Sequence, residues 1–261
     1  MAHNNTDQVG VGVGLDVDSD RRGYILVGAA RLFRERGYLN TTMTQIAREC
    51  GLGQSSLYYW FRQKEDILLG LLALNTISLT FAERVVAEPG SPAVRLLRLL
   101  RLDILELCSS PVDICEVEVL AEQQPDVFVE FWADTAALHQ HIATLISDGI
   151  ACGEFIECDP EFAALNICAA EEGVQRRYRN SAAHTPGGNS PFRHQDYSRE
   201  HVATELAAIV VRGLLRDPAT LPKLTARDAG GAGSCGAPSS ITVSPMRKLC
   251  PSGTKASTAL T

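Results

Sequence analysis

Apolar residues recur every three or four positions along most of this chain, and the breaks in that rhythm divide it into helices. From about Asp20, Ile25, Ala29, Leu32 and Phe33 share one helical face, and Gly37 stands where a left-handed residue would end the helix. Thr42 with Gln45 three positions on is a capping-box signature for a short helix reaching Cys50. Gly51 lets the chain turn, and a second short helix starts near Gly53 or Gln54 and runs to about Tyr59. Residues 63–66 can cap a fourth helix, and the apolar run behind them predicts one long element that stops before Pro89 and Gly90.

The same period continues in the second half. Val94, Leu97, Leu100, Ile104 and Leu107 line one side of a helix over about 92–108, and another covers roughly 112–123. A longer helix is expected from near Pro125, whose fixed φ suits a first turn, to Gly149. Residues 160–179 follow Asp159 as a possible cap, residues 180–197 read as a loop, and residues 198–215 give a last amphipathic helix. Small residues on the last two helices (Ala163, Ala164, Ile167, Ala169 and Ala170; Ala203, Leu206, Ala207, Ile209 and Val210) would allow close approach to a symmetry mate. No strand pattern or internal repeat appears, so the fold class is all-α.

The ends differ in composition. Residues 1–19 lack a packing pattern and read as a flexible arm; residues 218–261 shift to Gly, Ser, Ala, Pro and Thr and read as a disordered tail. This leaves a unit at 20–66 and a second at 67–217.

With 261 residues, 45% hydrophobic and 21% charged, the chain can bury a core without metal or disulfide help. It has no apolar run long enough for a membrane span and no secretory leader, and the expected location is cytoplasmic. Eight cysteines contain no CxxC pair and no Cys/His cluster, so they are expected to be reduced and packed, with no metal site and no cofactor. The net charge of −7 argues against a nucleic-acid partner until its distribution is considered. Residues 21–64 carry eight Arg/Lys against Glu35 and Glu49, a net +6 that leaves −13 for the remainder.

That basic block coincides with two short helices joined by a glycine turn behind a longer helix, a helix-turn-helix arrangement. In Leu57-Tyr58-Tyr59-Trp60-Phe61 the apolar members close a core: Ile46, Leu57 and Phe33 share it, and Phe61 seals the next helix. Gln54, Ser55 and Ser56 then lie at the exposed start of the second helix, where side chains reach base edges in a major groove. Tyr58 or Tyr59 can give a hydroxyl to phosphate, and Thr42 and Lys64 can hold phosphates.

The stretch AARLFRERGYLNTTMTQIARECGLGQSSLYYWFRQKEDIL resembles the DNA-binding domain of the tetracycline-repressor-like (TetR) transcriptional regulators. The shared features are Ala-x-x-Leu-Phe, Gly37, the Thr42 to Ala47 segment, Gly51, Leu57-Tyr58-Tyr59, Phe61, Lys64 and Glu65. Gly53 stands where that family more often has serine, and Trp60 where histidine is common. The resemblance implies a homodimeric repressor on a palindromic double-stranded DNA operator, released by a small hydrophobic effector. It gives the same DNA contacts: Thr42, Gln54, Ser55, Ser56, Tyr58, Tyr59 and Lys64.

The resemblance also implies an effector cavity among the second-half helices, where Asp103, Glu106, Leu107, Glu118, Phe128, Phe131 and His139 are candidate lining residues. An acidic, apolar-lined cavity would fit a hydrophobic and cationic compound. Cys108, Cys115 and Cys152 are alternative redox sensors, which would make the chain a thiol-switch or ligand-binding dimer without operator binding. No nucleophile, base and orienting group share a spacing that suggests an enzyme.

Overall fold

A computed structural model of the chain describes residues 17–73, 77–182 and 197–231. Residues 1–16 of the expected arm, most of the 180–197 loop and the tail beyond 231 lie outside these residues, while 17–19 of that arm are the first residues of a helix.

The described residues form an all-α fold. Helix α1 (Val17–Arg36) ends at Gly37, which adopts φ 81°. Helix α2 (Met43–Glu49) begins at the expected capping box: Gln45 N–H donates to the Thr42 hydroxyl, and Thr42 N–H donates to Gln45 Oε1. Helix α3 (Gln54–Trp60) starts behind Gly53 with no side-chain cap. Helix α4 (Lys64–Leu72) carries a second capping box made by Gln63 and Asp66.

The long fourth helix foreseen from sequence is instead α4 and a separate α5 (Ile77–Ala87), with 74–76 outside the described residues. Helix α6 (Pro92–Ser109) has Ser91 as cap and proline in its first turn, and α7 (Ile114–Gln123) is capped by Asp113. Helix α8 (Val129–Ala151) begins later than Pro125 suggested. Val127 and Phe128 N–H groups both bond Gln124 O, making a turn that drives the Phe128 ring into the interior. Helices α9 (Pro160–Ala182) and α10 (Arg199–Leu214) follow, with α10 lying along α6.

Residues 218–231 correct the expected tail. A 3-10 turn, Pro218–Thr220, leads into α11 (Leu221–Gly231), which packs on α6. Leu221 and Leu224 are buried, and Asp228 accepts from Arg98 Nε at 3.1 Å and Arg101 Nε at 3.2 Å. Two apolar anchors and a paired carboxylate on successive turns are enough to hold a short helix that composition alone assigns to disorder.

The apolar interior falls into two clusters. The larger joins α5, α6, α8, α9, α10 and α11 around Leu96, Leu99, Leu100, Ile142 and Leu145. The smaller lies under α1 to α4 but also takes in Val112, Val117, Ala121 and Phe128 from the α6–α7 turn, α7 and the α7–α8 turn. The first four helices are therefore a head whose core is completed by the body.

The small-residue faces need the same revision. Ala164, Ile167, Ala203 and Ala207 are buried inside the subunit, where close helix approach serves its own core. The apolar positions that α9 and α10 leave outside are Phe162, Leu165 and Ile209, between 53% and 65% exposed.

Candidate nucleic-acid interface and ligand cavity

The helix pair α2–α3 is fixed from beneath and open from above. Ile46, Leu57 and Phe61 are at most 1% exposed and pack with Ile25 and Phe33 of α1. Gly51 makes the turn with φ 61°, and Leu52 N–H closes it on Ala47 O at 2.8 Å. At Gly28 of α1, a Cβ would stand 2.6 Å from Cys50 Sγ, so glycine there lets α1 come down onto the end of α2.

Above this core, Thr42, Gln54, Ser55, Ser56, Tyr58 and Tyr59 are all exposed, Tyr59 at 78%. Gln54 Nε2 donates to Thr44 Oγ1 at 2.8 Å, which orients its amide and adds Thr44 to the same surface. The Tyr59 ring stands edge-on to Trp60 at 5.1 Å. Arg21, Arg48 and Arg62 are exposed cations, whereas Arg31 is paired with Glu49.

Lys64 is engaged within the head itself. Its ammonium donates to Tyr38 O at 2.8 Å and Thr41 O at 2.9 Å and sits over the Tyr38 ring at 4.0 Å. The residue ties the start of α4 to the turn between α1 and α2, and desolvation lowers its pKa. The Tyr38 hydroxyl completes this knot by donating to Glu65 at 3.1 Å.

Between head and body lies a cavity of about 700 Å³. Arg22, Tyr59 and Trp60 line its head side; Leu69, Leu107, Phe131 and Leu138 supply apolar wall. Six of the seven sequence candidates, Asp103, Glu106, Leu107, Glu118, Phe131 and His139, line it together. Phe128 does not: it is fully buried in the head core, because the turn before α8 points it away from the cavity. The sequence reading missed Ser78, Cys168, Glu171 and Glu172, which complete the lining. Their one visible signal was an adjacent glutamate pair inside the apolar Ala-rich run of α9.

The polar end of this cavity is acidic. Asp103 and Glu171 are 5% and 2% exposed. Burial raises both carboxyl pKa values, that of Glu171 well above the ordinary range, with the facing Asp103 adding to the rise. Glu106 accepts from the Ser78 hydroxyl at 2.7 Å and its N–H at 2.8 Å, yet desolvation still raises its pKa. Half-buried Glu172, near Glu118, is raised from 4.5 to about 7, first by desolvation. Cys115 Sγ and carboxylate oxygens of Glu118 and Glu172 lie within 4.8 Å of one another.

The thiols gain little reactivity here. Burial pushes Cys108 and Cys115 up to about 11, so both stay protonated near neutrality; Cys152 is exposed.

Residues 25–71 match the family model for bacterial regulatory proteins of the tetR family. Along nearly its whole length the chain also aligns with the crystal structure of Mycobacterium smegmatis AmtR: 30% identity, 84% of this chain, 96% of AmtR, TM-score 0.58. The chain belongs to the TetR family. HbdR of Aromatoleum sp. (strain CIB), an HTH-type transcriptional regulator, is 31% identical over 130 residues, which are 50% of this chain and 51% of HbdR. The fold is also that of AibR, solved with isovaleryl coenzyme A and operator DNA (22% identity, 75% of this chain, 98% of AibR, TM-score 0.52). This TetR-family chain is thus a transcriptional regulator whose head carries the family's helix-turn-helix, and no helix among its described residues is long and apolar enough to cross a membrane.

Two outcomes follow from this geometry. Lys64→Ala removes two charge-assisted bonds and is expected to lower unfolding free energy by about 1–3 kcal/mol in urea titration. It should leave the salt slope of DNA binding unchanged, whereas loss of a phosphate contact would reduce that slope by about 0.9. The second outcome concerns pH. A carboxyl whose pKa is raised by folding holds its proton more tightly in the native state. Its stabilising effect is complete below the ordinary 4.5 and is lost as pH rises through the folded value, about 7 for Glu172. Thermal midpoints of the ligand-free protein should fall across that window, and Glu172→Gln should make the fall shallower; identical slopes would show that Glu172 does not titrate this way.

Proposed function

We propose that this protein is a repressor that binds a palindromic operator as a homodimer and is released from it by a small molecule. The observation that carries this reading is the outward start of α3, where Gln54, Ser55 and Ser56 face solvent above a fully packed core. Short polar side chains on a rigid helix start are suited to base edges in the major groove. Arg48 and Arg62 beside them attract phosphate, and Thr42, Tyr58 and Tyr59 offer hydroxyls to the backbone. Lys64 serves this surface indirectly, by holding α4 and the α1–α2 turn in register.

A single head spans only a few base pairs, so specificity calls for two heads at fixed spacing. Phe162 and Leu165 on α9 and Ile209 on α10 are exposed apolar side chains that a two-fold mate would cover.

Release follows from the way the cavity meets the head. Glu171 at the cavity lies one helical turn before Gln175, whose amide donates to Leu107 O at 2.8 Å and Val112 O at 3.1 Å and accepts from Ile114 N–H at 3.0 Å. Arg179, a further turn on, donates to Ser110 O and Pro111 O. The turn so gripped contributes Val112 to the head core, and Arg34 of α1 donates to Ser109 O at 2.7 Å. A ligand that shifts α9 against α6 moves the head with it and changes the spacing of two paired heads. AibR shows that this fold accommodates operator DNA together with a small ligand.

The test is selection of bound fragments from genomic DNA with purified protein. An inverted repeat should be enriched, and Gln54→Ala should cost about 1–3 kcal/mol of discrimination at one base pair of each half-site. Binding that enriches no sequence would overturn the reading.

A further inference from the structure

The cavity has a charge balance that restricts what can enter it. Nine carboxylic side chains line it against two guanidinium groups, Arg22 and Arg62, and both of these belong to the head. Arg22 is partly engaged already, with Nη1 3.4 Å from Trp60 O and its guanidinium over the Phe61 ring.

The decisive group is Glu171. It is 2% exposed and lines the cavity, and neither of its carboxylate oxygens has a donor among the described residues. Its polar neighbour on α6 is another buried acid, Asp103. The groups around the pair supply no permanent cation: Glu106 on α6, Cys168 and Glu172 on α9, and, from other helices, Ser78 of α5, His139 of α8 and Glu118 of α7. Two carboxyl groups so placed coexist only by keeping a proton, and a buried acceptor without a donor carries a desolvation cost of about 1–3 kcal/mol.

We propose that the effector is a lipophilic amine, bound as its ammonium ion between the carboxylates of Asp103 and Glu171 with its apolar body along Leu107, Phe131 and Leu138. This rests on the reading of the cavity as the effector site. An ammonium group has three N–H donors and one positive charge. It satisfies both Glu171 oxygens and one of Asp103 while replacing the retained proton. An alcohol brings one donor and no charge, and a carboxylate brings a charge of the wrong sign. A calcium or magnesium ion would need about six oxygen ligands at one point, and any metal ion would leave the apolar wall of a 700 Å³ cavity without an occupant. As the amine binds, the proton held by the acid pair passes to buffer, and the ammonium takes over its role.

The experiment compares three probes with one body and three head groups: n-octylamine, n-octanol and octanoate, titrated calorimetrically into the purified full chain at pH 7.5 without DNA. Octylamine, almost fully protonated at that pH, is expected to bind at least tenfold more tightly than octanol, and octanoate more weakly than both. The octylamine heat should vary with buffer ionisation enthalpy, reporting proton release. Glu171→Gln should weaken octylamine at least tenfold and leave octanol unchanged; retained octanol binding shows that the variant is folded. Asp103→Asn serves as a second variant with the same expectation. Octanol binding as tightly as octylamine, octanoate binding best, or octylamine affinity unaffected by both substitutions would overturn the proposal. Amine binding in a protein that selects no operator would refute the regulatory reading alone, and operator binding without amine preference would refute this inference alone.

Discussion

The apolar core beneath α1 and α4 is closed by side chains from the other half of the chain. Val112, Val117, Ala121 and Phe128 are each at most 2% exposed and pack with Ile25, Phe33, Leu57 and Ile67. A four-helix head of this size buries too little apolar surface to be secure alone. Borrowing these residues offsets that deficit and fixes the angle at which the head meets the body. The polar ties at the same seam, Arg34 to Ser109 O and Gln175 to the α6–α7 turn, add direction to a contact that apolar packing leaves non-directional.

That seam also explains why the cavity lies where it does. Residues 110–128 cross from body to head, and the space beside them is walled by α3 and α4 on one side and by α6, α8 and α9 on the other. The cavity is therefore bordered by Tyr59 and Trp60, at the end of the helix that presents Gln54 to Ser56, as well as by the helix that grips the α6–α7 turn. In the proposed regulator, sensing and DNA contact need no long relay. The acidity of the cavity and the basicity of the head divide the chain's charge by task, so that a net −7 protein keeps a cationic face for a polyanion.

The helical rhythm made most of this architecture legible, and the local chemistry of caps and turns placed the helix-turn-helix to within a residue or two. The Thr42–Gln45 box, Gly37 and Gly51 act within a few residues of themselves, and such signals survive in a single sequence. What escaped depended on distant partners. Lys64 looks like a surface cation until Tyr38 O and Thr41 O are seen to receive it. Phe128 and Phe131 are three residues apart on similar apolar ground, yet a turn at Gln124 sends one into the head core and leaves the other on the cavity wall. Leu221, Leu224 and Asp228 sit in a Gly/Ala-rich context that suggests disorder, and only Arg98 and Arg101 on α6 show why the segment folds. Nothing local to Glu171 in the sequence shows that its helix turns it inward.

The shared core is tested most directly by asking whether head and body unfold together. The chain has two tryptophans, and in a Trp132→Phe background Trp60 alone reports on the end of α3, while far-UV circular dichroism is dominated by the longer helices of the body. Urea unfolding followed by both signals should give coincident midpoints and slopes, because the head core cannot open without exposing Val117 and Phe128. A Trp60 transition complete at lower urea, with the body's helical signal intact, would contradict the account and make the head an independent unit.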